Sequence, residues 1–274
     1  MQTVIQIERC LTEKRACCML SVENNKEDGI INMIIKPVEL DVHTHTIVSG
    51  HAYGTITEMA KAASEKGLKL LGITEHAKGI PGTCEDIYFG NMRVVPRTMF
   101  GIRLMLGAEI NILDYEGSLS MTDKYMNYLD VRIAGIHQIC YKPGTIQENT
   151  SAIIGAIKTP QIDIISHPDD SNCPLEYEAV VDAAKKYHTL LEVNNNALRM
   201  SSRKNVAENI ITMLELCKQY EQPVILGSDA HYMNDIANYE QIGQVVREMD
   251  FPPELIMNYS LAQFDEYLRK NREP

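Results

Sequence analysis

The stretch that decides the fold runs from Leu40 to Thr55 and reads LDVHTHTIVSGHAYGT. It follows directly on an apolar run and holds His43, His45 and His51, three of the chain's eight histidines. Side chains alternate along a strand, so His43 and His45 share one face. Two imidazoles placed side by side oppose each other's protonation, unless a cation takes the place of the protons. A strand ending in such a pair is either a packing arrangement or one wall of a metal site. The choice depends on where the other histidines fall.

They fall in a rhythm. From Pro37 onward, seven short apolar runs recur: VELDVHTH, LKLLGITEH, RLMLGAEIN, LDVRIAGIH, IDIISHP, TLLEVNN and PVILGSDAH. Near-continuous apolar runs of this length are what strands buried on both faces of a parallel sheet look like. Helical patterns lie between several of them. Ile56, Met59, Ala60 and Ala63 form a helical stripe within Thr55–Lys66, with Thr55 and Glu58 as a capping box and Gly67 as the stop. Tyr177, Val180, Val181 and Ala184 form a second, and Val206, Ile210, Met213, Leu214 and Cys217 a third. Alternating strands and helices predict βα units with right-handed crossovers. Seven units with no domain-sized break predict an α/β fold, a closed or nearly closed TIM-like barrel, with a doubly wound open sheet as the alternative. DFPPE at 250–254 ends the repeat, and a helix is expected from Ser260.

Strand one ends in His43 and His45, strand two in Glu75 and His76, and strand three carries Glu109. Strand four ends in His137, strand five in His167, and strand seven in Asp229 and His231. Only strand six, ending EVNN, offers amides. In a parallel barrel these ends share one face, where active sites are built. His188, at a helix end, reads as a packing residue. Six strands delivering the same chemistry to one face favour metal over packing. The nine candidate ligands are His43, His45, His51, His76, Glu109, His137, His167, Asp229 and His231. A catalytic zinc takes ~3 protein ligands and keeps an open position, so nine ligands imply about three ions, with Glu109 able to bridge two. Imidazole suits zinc and iron, and carboxylates extend the choice to manganese. Three divalent ions against two carboxylates leave about +4 of local charge, which suits a multiply charged anion such as phosphate.

The totals narrow the setting. The formal net charge is -11 over 274 residues, which disfavours wrapping of long nucleic acid. No apolar run approaches the ~20 residues that span a bilayer. The N-terminus MQTVIQIERCLTEKR lacks the apolar core of a signal peptide, and seven cysteines without a C-x-x-C pair suit reduced thiols, so a cytoplasmic protein is expected. Residues 1–32 read as an extension and linker, either disordered or the product of an upstream start, ahead of a catalytic barrel at 33–274.

The segments DVHTHTIVSGHAYGT, GITEHA, GAEINI, AGIH, IISHP and GSDAH resemble the motifs of the PHP (polymerase and histidinol phosphatase) family, in particular its small single-domain bacterial phosphatases. FGNMRVVPR and EVNNNALRMSSRK are similar to that branch as well. The resemblance runs from about Glu39 to the C-terminal helix. It implies a distorted (β/α)7 barrel and a trinuclear centre of zinc, with manganese or iron in relatives. It also implies the ligand sets. His43 and His45 would share one ion with Glu109 and Asp229; His51, His76 and His231 would hold a second; Glu109, His137 and His167 would hold the third.

The expected chemistry is phosphomonoester hydrolysis by a metal-activated hydroxide, since bound ions lower the pKa of water from 15.7 toward ~7. Arg93 and Arg203 are candidate clamps for a small phosphorylated substrate. A homo-oligomer is compatible with the sequence. A metal-dependent amidohydrolase also uses His-x-His on strand one, but usually with two ions and often a carboxylated lysine. A PHP-type nuclease or phosphodiesterase is opposed by the charge, and a non-enzymatic metal module by the open coordination. Cys84, Cys140 and Cys173 fall in loops after strands and read as packing or loop thiols rather than ligands.

Overall fold

The computed structural model describes residues 37–270. The proposed extension at 1–32 lies outside the described residues. Eight strands form one sheet: β1 Leu40–Asp41, β2 Leu70–His76, β3 Thr98–Met99, β4 Ile102–Asn111, β5 Val131–Gly135, β6 Ile164–Ile165, β7 Leu190–Asn194 and β8 Val224–Gly227. Seven of them run parallel in the order β1-β2-β4-β5-β6-β7-β8, and β3 pairs antiparallel to β4. Past the end of β1, Thr44 pairs in parallel with Ala230 just beyond β8. The His45 amide donates to the Ala230 carbonyl at 2.9 Å. That bridge brings the two edges together, so the sheet is a nearly closed barrel and not an open doubly wound sheet.

Each helix follows from local signals. Helix α1, Ile56–Glu65, begins at the Thr55–Glu58 capping box, with both reciprocal hydrogen bonds present. Gly67 follows it with φ +80°, where a side chain would be strained. α2 is Asp86–Asn91, α3 Asp123–Met126 and α4 Ile146–Ile157, the last opened by a second capping box at Thr145 and Glu148. α5 is Tyr177–Tyr187, α6 Val206–Tyr220, α7 Glu240–Glu248 and α8 Leu261–Lys270. No described helix is long and apolar enough to cross a membrane.

Two apolar clusters hold these elements. The larger packs the helices against the outside of the sheet, through residues such as Met59, Ile73, Leu106, Ile110, Ile210 and Met213. The smaller takes at least one side chain from every parallel strand or its immediate continuation, including Leu40, Leu70, Val131, Ile164, Leu190 and Ile225. It is therefore the barrel interior. Phe264 of α8 is fully buried in it and closes the end where the strands begin. Burying such a ring stabilises by about 1.5–3 kcal/mol. The interior is plugged at that end, which leaves the strands' C-terminal ends as the reactive face.

Two sequence expectations need adjustment. The runs VELDVHTH and IDIISHP predict full strands, yet β1 and β6 keep only two paired residues each. The chain leaves the ladder early there to carry His43, His45 and His167 inward. β3 carried no periodic signal, because two residues are too few to show one.

Candidate metal centre

All nine residues singled out in the sequence converge at the C-terminal mouth of the barrel. His76 and Glu109 sit on β2 and β4 themselves. His43 and His45 lie just past β1, His137 past β5, His167 past β6, and Asp229 and His231 past β8. His51 comes from the loop after β1, where Gly50 has φ +84° and a Cβ would lie 2.4 Å from the Gly82 carbonyl carbon. The rings form one continuous cluster. His45 lies 4.3 Å from His76 and 4.5 Å from His231, and His137 lies 5.1 Å from His167, between ring centroids.

Glu109 is the hub. Its Oε2 lies 2.9 Å from His76 Nδ1, 3.3 Å from His43 Nε2 and 3.6 Å from His45 Nε2. Its Oε1 lies 2.9 Å from His167 Nε2 and 3.3 Å from His137 Nε2. Asp229 Oδ1 stands 3.3 Å from His45 Nε2 and 3.7 Å from His43 Nε2. His51 joins through His231, with their Nε2 atoms 3.0 Å apart.

Behind the candidate ligands stands a set of anchors that the sequence reading did not single out. His43 Nδ1 meets Glu192 Oε1 at 2.5 Å, and His137 Nδ1 meets Asn111 Oδ1 at 2.8 Å. His45 Nδ1 meets Ser49 Oγ at 3.1 Å, and Ser49 in turn donates to buried Glu75 at 2.6 Å. Backbone carbonyls of Ser49 and Asp229 take the Nδ1 of His51 and His231. Anchors of this kind fix ring orientation and tautomer in metal sites. Strand β7 was expected to offer only amides, but Glu192, two residues before Asn194, points into the site. A lone carboxylate inside the apolar run TLLEVNN was the available signal.

The donor set fits metal ions. His43 Nε2, His45 Nε2, His76 Nδ1 and Glu109 Oε2 are buried and make no hydrogen bond of acceptable geometry. Buried polar atoms almost always find partners, and the three orphaned imidazole nitrogens crowd around the orphaned Glu109 oxygen as metal donors do. Three ligand groups have their donor atoms within 4.8 Å of one another: His43, His45 and Glu109; His45, His76 and His231; and His76, Glu109 and His137.

Burial and the neighbouring His76 and His231 rings hold the pKa of His45 well below its ordinary value. Burial and His231 lower that of His51, and burial and Arg203 lower that of His167. Burial opposes charge on His43, yet Glu192, Glu109 and Asp229 together hold its pKa well above 6.5. Burial also opposes charge on Glu109, but His137, His43 and His76 hold it well below the usual carboxylate range. His43, His45 and His231 do the same for Asp229. His167 and Asp229 adopt φ +31° and +51°. Such left-handed backbone at non-glycine residues costs of order 1–3 kcal/mol each and clusters at functional sites.

A cleft of about 340 Å³ opens onto the cluster, lined among others by His51, His76, His137, His167, Ser202 and Arg203. Arg203 is mostly buried and donates to Asp169 Oδ1 at 3.1 Å. Arg93 is exposed and lines a separate hollow with Tyr88, Lys124, Tyr125 and Cys84. Cys173 lies at the cleft wall, where burial pushes its thiol up to about 12; that leaves it a poor ligand. His188 stands apart, stacked on Tyr267 at 3.8 Å.

Residues 41–245 match the PHP domain model. A probable phosphatase of Acetivibrio thermocellus is 40% identical over 234 residues, covering 85% of this chain and 96% of the relative. One of Caldicellulosiruptor saccharolyticus is 44% identical over 232 residues, again covering 85% and 96%. Among solved structures, histidinol phosphate phosphatase from Lactococcus lactis, complexed with zinc, L-histidinol and phosphate, superposes with a TM-score of 0.57. It is 15% identical and covers 78% of this chain and 94% of that one, a likeness of fold.

Proposed function

The chain belongs to the PHP domain family, and on that premise we propose that it is a metal-dependent phosphatase acting on small phosphoric monoesters at a trinuclear centre. The observation that carries this reading is the convergence of orphaned donor atoms around Glu109. The names of the relatives support the reaction class, and the zinc and phosphate of the solved neighbour agree with the donor chemistry.

The nine proposed ligands are His43, His45, His51, His76, Glu109, His137, His167, Asp229 and His231, with zinc favoured by the excess of imidazole. Divalent ions held there would supply Lewis-acid activation of water and neutralise phosphoryl charge. The protein's own contribution is placement. Glu109 presents both oxygens to opposite sides of the cluster, which suits a bridging carboxylate. His45, His51 and His167 are kept neutral by burial and by their cationic or imidazole neighbours, leaving lone pairs to offer. Arg203, held by Asp169, faces the cleft where a phosphoryl group would enter and can bind it through two N–H groups. Arg93 keeps a role only for a substrate long enough to reach its own hollow.

The amidohydrolase alternative loses ground, because no lysine lines the cleft among the described residues. A panel of p-nitrophenyl phosphate, bis-p-nitrophenyl phosphate and anilides, tested on zinc- and manganese-loaded protein, decides between the classes. Monoester hydrolysis should dominate. Faster turnover of the diester or the anilide would overturn the proposal.

A further inference from the structure

Glu192 is buried on β7 and touches two proposed ligands at once. Its Oε1 meets the His43 ring at Nδ1, 2.5 Å away, and its Oε2 accepts from the His167 backbone amide at 2.9 Å. Oε2 also accepts from Asn194 Nδ2 at 3.0 Å. Room for this carboxylate exists only because residue 227 on the neighbouring strand is glycine: a Cβ there would stand 1.8 Å from Glu192 Oε1. The other anchored rings lean on neutral partners. Ser49 hydroxyl holds His45, Asn111 amide oxygen holds His137, and backbone carbonyls hold His51 and His231.

A carboxylate accepts and cannot donate. With an ion taking the place of the proton on Nε2, the one remaining His43 proton must sit on Nδ1, so that the Nε2 lone pair faces the ion beside Glu109 and Asp229. On the other side, the same carboxylate secures the amide of His167, whose backbone is held at φ +31°. We infer that Glu192, in the space left by Gly227, is a positioning residue that sets the tautomer of His43 and the backbone of His167, and so preorganises the metal centre. This rests on the metal reading given above.

The replacement Glu192→Gln sharpens the inference, because glutamine has nearly the same shape. Its oxygen must take the Oε2 place, where two donors point. Its NH2 then faces His43 Nδ1, which has to accept, and the His43 proton moves to Nε2, toward the ions. Glu192→Asp has the opposite character: it keeps two acceptors and loses reach. If donor chemistry decides, the isosteric variant is the worse one; if packing decides, the shorter variant is.

Zinc affinity of the full chain is measured by competition with a chromogenic chelator for the wild type, Glu192→Gln and Glu192→Asp, with circular dichroism to confirm folding. Loss of an outer anchor costs ~10–100-fold in metal affinity. Glu192→Gln is expected to lose at least tenfold, and more than Glu192→Asp. An equal or smaller loss than Glu192→Asp overturns the proposal. Zinc-loaded wild-type protein gives a second readout that needs no variant. Long-range ¹H–¹⁵N spectra should show the His43 proton on Nδ1, and a proton on Nε2 would equally overturn it. A wild-type chain that takes up no zinc refutes the metal reading and this proposal together. Zinc binding by the wild type with unchanged affinity in Glu192→Gln refutes only the proposal.

Discussion

Arg203 and Asp169 are joined by a 3.1 Å ion pair in the wall of the histidine cleft, with side chains 13% and 1% exposed. Burial pushes the Asp169 carboxyl up to about 7 even though the Arg203 guanidinium pulls it down. The pair does two things. It holds a planar cation in the lining of the cleft, where the proposed phosphoryl group would enter, and it keeps a buried carboxylate partnered.

Arg203→Ala should therefore show two separate losses. Hydrogen bonds to charged groups contribute about 1.5–3 kcal/mol, so KM for a phosphomonoester should rise ~10–100-fold at unchanged metal content. Asp169 loses its partner, and breaking a buried pair from one side costs about 3–5 kcal/mol, read by denaturant unfolding. Arg203→Lys should recover much of the stability and little of the KM, since lysine lacks the planar fork. A KM within threefold of wild type in Arg203→Ala would remove it from the substrate site.

The convergence of the proposed ligands was legible in the sequence because most of them repeat one relationship. All but His51 lie in or at the end of an apolar run, and a parallel barrel sends such positions to one face. Their anchors were not legible, because nothing in a sequence says that Asn111 will meet His137, or Ser49 will meet His45 and Glu75. Those pairings depend on sheet register and on turns such as Ile47–Ser49. Glu192 was visible as a charge in an apolar strand, but TLLEVNN alone does not say which face it takes. The grouping of the proposed ligands came from the family resemblance and not from their spacing. The resemblance grouped His51 with His76 and His231, and the His51 ring lies 5.0 Å from that of His76, with its Nε2 3.0 Å from His231 Nε2. The lengths of β1 and β6 were overestimated because apolar character continues after the backbone has left the ladder.

The strands and interior cluster of the described residues, and every proposed ligand, lie within 37–270. A chain beginning at Met33 should consequently fold and keep wild-type phosphatase activity per metal bound. Insolubility, or loss of most activity at equal metal content, would assign a structural role to residues 1–32.

The capping box of α4 gives a pH dependence with a definite sign. The Thr145 amide and hydroxyl lower the pKa of Glu148 below its ordinary value of 4.5. A carboxylate whose pKa is depressed by folding stabilises the fold above its unfolded value, and that contribution is lost as pH falls through the folded value. Between pH 6 and pH 3, thermal unfolding of Glu148→Gln should fall less steeply than that of the wild type, with the two converging in acid. Parallel curves over that window would show that the box is not linked to stability.

Metal content and turnover should separate cleanly at two sites. Glu109→Gln keeps the shape of the hub but removes its charge and weakens bridging. The variant is expected to bind fewer than the three ions proposed for the wild type. Removing a key electrostatic element costs ~10²–10³ in rate, so kcat for p-nitrophenyl phosphate should drop at least that far. The fold should persist, because the barrel interior is built from apolar side chains such as Leu40, Ile133 and Phe264. His188→Gln is the matched control. His188 ends α5 at φ +59° and stacks on Tyr267, away from the cleft. Losing the stack should cost about 0.5–1.5 kcal/mol, read as a Tm drop of about 1–6 °C, with metal content and kcat unchanged. Wild-type turnover by metal-loaded Glu109→Gln would remove the hub from the mechanism, and with it the trinuclear hydrolase.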